Sequence, residues 1–313
     1  MKCLVSGATG FVGRQLCPAL IANGHDVVAL SKSGGSLNDG TPTQAVDLSE
    51  NDLPAALLHG VDVVIHLAGI AHQQAPPSAY EQLNHLATLR LARLAATAGA
   101  RSFIYLSSVK AMGAPDSALA RSESDCTVPT HPYGLSKWKA ECVLREEFAD
   151  AEMSVVILRP ALVYGINVKG NLARLATAVG KGLPRPPAAG ERSMIAVDDL
   201  VDLLCHLAKG SLPGVHTWIA CGSRAYSTRD IHGLIRAALG KGQGIQWLPL
   251  WAWRCAARVL DGAKPAVDGD STYEKLFAYE VYSNTALISA TAWRPKVHLE
   301  QLIGGIADSG RGK

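Results

Sequence analysis

The sequence predicts an α/β protein: a doubly wound parallel sheet of the Rossmann type with a smaller C-terminal domain. Three observations predict it. Short apolar runs alternate with helix-patterned segments through the first half. One of these runs, Val61–Leu67, is almost continuously apolar, as a strand buried on both faces requires. A turn with three glycines, Gly7-Ala8-Thr9-Gly10-Phe11-Val12-Gly13, joins the first run to the first helix.

The elements follow in order. Lys2–Ser6 is a strand. Gly10–Ala22 has helical spacing and stops at Asn23-Gly24, a C-cap signal. His25–Ser31 and Thr43–Leu48 read as strands two and three. Ser49 with Asp52 three residues on predicts a capped helix start. Ser78–Ala98 is a long helix closed by Gly99. Arg101–Ser107 and Ser154–Leu158 are further strands, with a helix from Tyr133 to Phe148 between them. After Gly165 the alternation loosens, and Pro184, Pro186 and Pro187 mark a loop. Asp198–Ala208 reads as a helix, Val215–Ala220 as another sheet strand, and Ser227–Leu239 as a helix with Ser227 as N-cap. The division expected is 1–165 plus about 196–222 for the dinucleotide-binding part, and about 166–195 plus 223–313 for the substrate-binding part.

Composition narrows the function. Of 313 residues, 48% are hydrophobic and 18% charged, with a net charge of +3, which suits a globular core and gives no reason to expect nucleic acid. The seven cysteines form no C-x-x-C pair and the ten histidines lack ligand spacing, so no metal site is expected and a reducing, cytoplasmic setting fits. No apolar stretch reaches the 18 residues or so of a transmembrane helix. Trp247–Leu260 is the most membrane-like run; a helix packed on the second domain, with Arg254 and Arg258 toward water, is favoured over one lying on a bilayer surface.

The glycine turn carries the first chemistry. Gly7 permits a tight turn, Gly10 lets backbone approach a pyrophosphate, and Gly13 allows close helix–strand packing. Thr9, Phe11 and Val12 complete the turn, and the helix N-terminus behind it favours negative charge. A carboxylate usually ends strand two where NAD is preferred. Ser31 and Lys32 stand there instead, so NADP(H) is favoured, with NAD(H) the alternative. Asp47 and Leu48 flank the adenine.

Tyr133-Gly134-Leu135-Ser136-Lys137 is Y-x-x-x-K, which puts phenol and ammonium on one helix face. A cation lowers a tyrosine pKa toward the range useful for acid–base work. Ser107 and Ser108 end a strand where the sheet delivers side chains to a cofactor. Ser108 would orient the reacting oxygen, and local capping is the competing role for either serine.

Together these residues resemble the extended short-chain dehydrogenase/reductase family, in its nucleotide-sugar epimerase and reductase branch. The likeness runs through GATGFVG at Gly7–Gly13, HLAG at His66–Gly69, Asn84, LSSVKAMG at Leu106–Gly113, the Tyr133/Lys137 pair and LRPALVYG at Leu158–Gly165. It implies that Leu67, Ala68, Gly69 and Pro160 line the cofactor, and that Ser108, Tyr133 and Lys137 are catalytic. It also implies that Ser107, Asn171, Leu172 and Arg192 meet a UDP-sugar, and that helices Ser78–Ala98 and Tyr133–Phe148 form a homodimer interface. Val109 and Lys110 replace the Asp-Glu pair of the dehydratases in this family, which argues against dehydration.

The leading expectation is an NADPH-dependent reductase of a UDP-4-keto-6-deoxy-N-acetylhexosamine serving surface-polysaccharide (O-antigen) synthesis. The alternative is a UDP-hexose 4-epimerase. A reductase of other alcohols is a further candidate, and a non-catalytic cofactor sensor is the remote one.

Overall fold

The computed structural model describes residues 1–50, 54–71, 75–114, 119–166, 171–210, 212–263 and 271–309. Its strands are β1 (Lys2–Ser6), β2 (Asp26–Ser31), β3 (Gly35–Ser36), β4 (Pro42–Ala45), β5 (Val63–His66), β6 (Ser102–Leu106), β7 (Ser154–Pro160), β8 (Leu162–Tyr164), β9 (Glu191–Ala196), β10 (Val215–Ala220), β11 (Ala225–Tyr226) and β12 (Tyr279–Glu280). The helices are α1 (Gly13–Ala22), α2 (Pro77–Tyr80), α3 (Ala87–Thr97), α4 (Pro132–Glu147), α5 (Asn171–Gly180), α6 (Val197–Lys209), α7 (Thr228–Ala238), α8 (Leu250–Ala263), α9 (Thr272–Phe277), α10 (Thr285–Thr291) and α11 (Leu299–Ser309).

Among the described residues, eight strands form one sheet in the order β10-β7-β6-β5-β1-β2-β4-β3. All its pairings are parallel except β3 with β4. The order reverses between β1 and β5, the switch point at which ligands of such sheets bind. Alternation along β1 explains the two covering layers. Cys3 and Val5 join a core with Leu16 and Leu20 of α1 and Leu200 and Leu204 of α6. Leu4 joins the opposite core with Leu91 of α3 and Leu144 of α4. Each fully buried aliphatic side chain contributes about 1.5–3 kcal/mol.

A second sheet holds β11, β9 and β12, with β8 on β9. Its side chains share a third core with α5, α7 and α11. Two capping boxes fix helix starts in this half, at Ser227 with Asp230 and at Ser271 with Glu274. The first was expected from the sequence.

One expected start, at Ser49, lies at the edge of the described residues. Ser49 donates from its backbone N–H and its hydroxyl to Asp47 Oδ1, at 3.0 and 2.6 Å, and so closes an Asx turn on Asp47. Asp52 lies outside the described residues, and the next described element is a 3₁₀ turn at Ala55–Leu58. The long helix of the sequence reading is also interrupted: a π-helical segment, Glu81–Leu86, joins α2 to α3.

Candidate active site

The glycine turn sits at the switch point. Gly7 has φ +72°, and a Cβ there would lie 2.8 Å from the Ala68 amide nitrogen. Side chains are thus barred by both conformation and space. A Cβ on Gly13 would come within 2.7 Å of Ala8 Cα, so α1 can approach β1 only with glycine there. Gly10 is exposed on the outer side of the turn. The first turn of α1 has no acidic residue and no side-chain cap. The N–H groups of Arg14 and Gln15 go to the Gly10 and Val12 carbonyls, and no protein carboxylate competes for negative charge at this helix start. A cradle stripped of Cβ atoms ahead of an uncapped helix fits a dinucleotide pyrophosphate. Thr9, Phe11 and Val12 are half-buried in this turn.

Across the switch point, Leu67 and Ala68 are half-buried and Gly69 is exposed. Asn84, fully buried, holds this segment in place. Its Oδ1 accepts from Ile70 N at 2.7 Å, and its Nδ2 donates to Ile70 O at 3.0 Å and to Ser136 Oγ at 3.1 Å. The π-helical segment turns Asn84 inward, a use π-bulges often have at functional sites. His66 at the end of β5 is buried between Ser6 Oγ (2.6 Å) and Thr88 Oγ1 (2.9 Å). Burial pushes its pKa down to about 3, so it is a neutral structural residue.

Ser108, Tyr133 and Lys137 converge beside this crevice. Ser108 follows β6 and caps a 3₁₀ turn, its Oγ accepting from Lys110 N at 3.2 Å. The same hydroxyl hydrogen-bonds the Tyr133 phenol. Helix α4 is brought there by Pro132 at its first turn and by Gly134, whose Cβ would be 3.1 Å from Pro129 Cβ and would collide with the Lys110 carbonyl. Lys137 is buried; its Nζ donates to Leu106 O at 2.9 Å and lies 4.7 Å from the centre of the Tyr105 ring. Burial lowers its pKa to about 8. A Cβ on Gly69 would lie 3.3 Å from that Nζ and 2.8 Å from Asn84 Oδ1.

The charge acting on the phenol differs from the one the Y-x-x-x-K spacing suggests. Burial raises the Tyr133 pKa, and the hydrogen bond from Ser108 and the charge of Lys110 oppose that rise. Lys110 in turn ion-pairs with Glu280 at 2.7 Å, and Glu280 with Arg192 at 2.9 Å. This Lys110–Glu280–Arg192 chain joins the end of β6 to β9 and β12. In the sequence Lys110 stands only as a departure from the dehydratases, and no motif there contains Glu280. The partners lie 170 residues apart, so no local pattern links them.

Other expected residues are placed as follows. Ser107 is buried and donates to Glu141 Oε1 at 2.6 Å, with Arg159 on the same carboxylate at 2.6 Å. Its hydroxyl thus belongs to a buried network that ties β6 and β7 to α4. Ser31 is likewise turned inward, 3.0 Å from Thr43 Oγ1. Lys32 is exposed and ion-paired with Asp47 at 2.9 Å. Leu48 is buried, and Pro160 ends β7 in the core. Asn171 is half-buried at the start of α5, and the Leu172 side chain belongs to the third core. Arg192 is already partnered: beyond Glu280, it donates to Glu274 O at 3.3 Å. Among the described residues no cluster of His, Cys, Asp and Glu could hold a metal ion.

Residues 3–217 match the model of the NAD dependent epimerase/dehydratase family. A UDP-glucose 4-epimerase of Vibrio cholerae is 29% identical over 277 residues, covering 85% of this chain and 84% of that protein. An N-acetyl-α-D-glucosaminyl-diphospho-ditrans,octacis-undecaprenol 4-epimerase of Escherichia coli O157:H7 is 30% identical over 223 residues, 69% of this chain and 65% of its own. Among solved structures, a UDP-N-acetylglucosamine 4-epimerase from Bacillus cereus superposes with TM-score 0.78 at 19% identity over the whole of both chains, which shows the shared fold. The chain belongs to the NAD dependent epimerase/dehydratase family, within the extended short-chain dehydrogenases/reductases. It is thus an enzyme of the sugar-nucleotide class that family defines.

Proposed function

We propose that this protein is a UDP-hexose 4-epimerase that uses NAD(H). The observation that carries the reading is the Ser108–Tyr133 hydrogen bond beside the glycine cradle, with Lys137 on the same helix face. In this reading the glycine cradle at Gly7, Gly10 and Gly13 would hold the dinucleotide, whose nicotinamide would supply reversible hydride chemistry at C4 of the sugar. Tyr133 removes the C4 hydroxyl proton and later restores it, and Ser108 holds the C4 oxygen against the phenol. Lys137 supplies positive charge under the crevice floor and fixes the end of β6 through Leu106 O. Asn84 keeps the Ala68–Ile70 segment shaped for the dinucleotide.

The relatives named above support epimerisation over the net reduction expected from the sequence. The structural ground for NADPH also weakens. Lys32 is partnered by Asp47, and that carboxylate would oppose a 2′-phosphate. Ser31 offers no free hydroxyl, since it bonds Thr43.

The test is incubation of the purified protein with UDP-galactose or UDP-N-acetylgalactosamine without added cofactor, followed by separation of the products. The 4-epimer is the expected product, with NAD released on denaturation. Consumption of NADPH on a UDP-4-keto sugar, with no epimer formed, would restore the reductase reading.

A further inference from the structure

Away from the crevice, the exposed apolar surface is concentrated in one place. Among the described residues twelve large hydrophobic side chains are exposed, and six of them, Ile245, Trp247, Leu250, Trp251, Val259 and Leu260, lie between Ile245 and Leu260. From Arg236 to Ala263 the chain carries Arg236, Lys241, Arg254 and Arg258 against one carboxylate, Asp261, which accepts from Thr272 N and Oγ1. Helix α8 is fixed by its inner stripe: Trp253 and Ala257 are buried, and the Trp253 ring meets Phe277 of α9 edge-on at 5.8 Å. The opposite stripe, Trp251, Cys255 and Val259 at four-residue spacing, faces outward. Arg254 and Arg258 are exposed along one flank of that stripe, Arg254 lying over the Tyr273 ring at 4.8 Å.

We propose that this face of α8, with Trp247 ahead of it, docks on the surface of a bilayer containing anionic phospholipid. Indole rings suit the headgroup boundary, where an apolar body and a polar N–H are both satisfied. An amphipathic helix with arginines beside Trp, Val and Leu lies in that plane rather than crossing it. No helix among the described residues is long and apolar enough to cross a membrane, so the contact is peripheral. Charge decides between a bilayer and a second copy of the chain. Two such faces packed on each other would oppose arginines to arginines, because the carboxylate of α8, Asp261, is turned to Thr272, whereas lipid phosphates complement them. The docked helix packs on α9, which runs into β12 and Glu280, so membrane contact would be made on the Glu280 side of the molecule.

The test is co-sedimentation of the full-length protein with vesicles of phosphatidylcholine alone and of an equal mixture of phosphatidylcholine and phosphatidylglycerol. Binding to the mixture is expected to be roughly tenfold tighter and to weaken as salt is raised. Trp251→Ser with Val259→Ser should reduce it about tenfold while leaving the thermal midpoint unchanged. Arg254→Gln with Arg258→Gln should remove the preference for the anionic mixture. Absence of binding to the mixture would overturn the proposal. So would a Trp251→Ser/Val259→Ser protein that binds vesicles as before but sediments as a smaller oligomer, which would make the face a contact between copies.

Discussion

Lys110 ion-pairs with Glu280 at 2.7 Å and at the same time lowers the pKa of the Tyr133 phenol, a part the Y-x-x-x-K spacing assigned to Lys137. The ammonium of Lys137 is turned to the Leu106 carbonyl instead. Tyr133 therefore feels two opposed influences: burial, which keeps the phenol protonated, and Lys110 with Ser108, which favour the phenolate. Glu280 moderates the cation from the far side.

A pH profile separates these influences. Lys110→Met removes the charge that favours the phenolate, so the Tyr133 pKa rises and the acid limb of kcat/KM moves up. Glu280→Gln removes the counter-charge and should move the same limb down. Shifts of opposite sign in the two variants are the expected result, read from rates across the pH range.

Lys137 should cost stability while serving activity. Its pKa in the fold is about 8, below the ordinary lysine value, so the fold disfavours its charge. Below pH 8 the side chain is charged both folded and unfolded, and the full penalty, about 3 kcal/mol, applies. Between about 8 and 10.5 the unfolded chain holds a proton the folded one has released, and stability rises with pH. Lys137→Met should therefore raise the denaturation midpoint at pH 7 and flatten its rise above pH 8. It should also lower kcat by a factor on the order of 10² or more. Urea titrations at pH 7 and pH 9.5 check the sign.

His66 gives the acid counterpart. Its pKa falls to about 3 in the fold, so its contribution is complete above the unfolded value near 6.5 and is lost as pH falls from there. Acidification from pH 6.5 to 5 should cost about 2 kcal/mol from this group. His66→Gln, which keeps a polar partner for Ser6 and Thr88, should reduce the slope of midpoint against pH in that range.

The Lys32–Asp47 pair gives a test of the cofactor preference. Asp47→Ala frees Lys32 and removes a carboxylate from the end of β4, so the NADPH-to-NADH affinity ratio should rise by about tenfold or more. Titration of each dinucleotide against wild type and variant measures it. An unchanged ratio would mean that the Lys32–Asp47 pair lies outside the adenosine site.

The sheet was legible because its signals are local: Val61–Leu67 is apolar throughout, and the three glycines stand directly between a strand and a helix. The phenol and its helix were legible for the same reason. What the sequence hid is non-local. Ser107 and Ser108 are adjacent and chemically identical, yet one meets Glu141 and the other Tyr133, because successive residues leaving a strand point to opposite sides. Lys32 reads as an exposed cation until Asp47 is brought to it, and no local pattern ties Lys110 to Glu280. The π-helical turn that aims Asn84 has no composition of its own.

The most direct test of the central claim is to follow deuterium placed at C4 of UDP-galactose by mass spectrometry as the protein acts on it in ordinary water. Hydride removal and return, with Tyr133 handling only the hydroxyl proton, predicts UDP-glucose that keeps the C4 label, and a Tyr133→Phe protein slower by about 10²–10⁴. Loss of the label to solvent, or a Tyr133→Phe protein of unchanged rate, would contradict it.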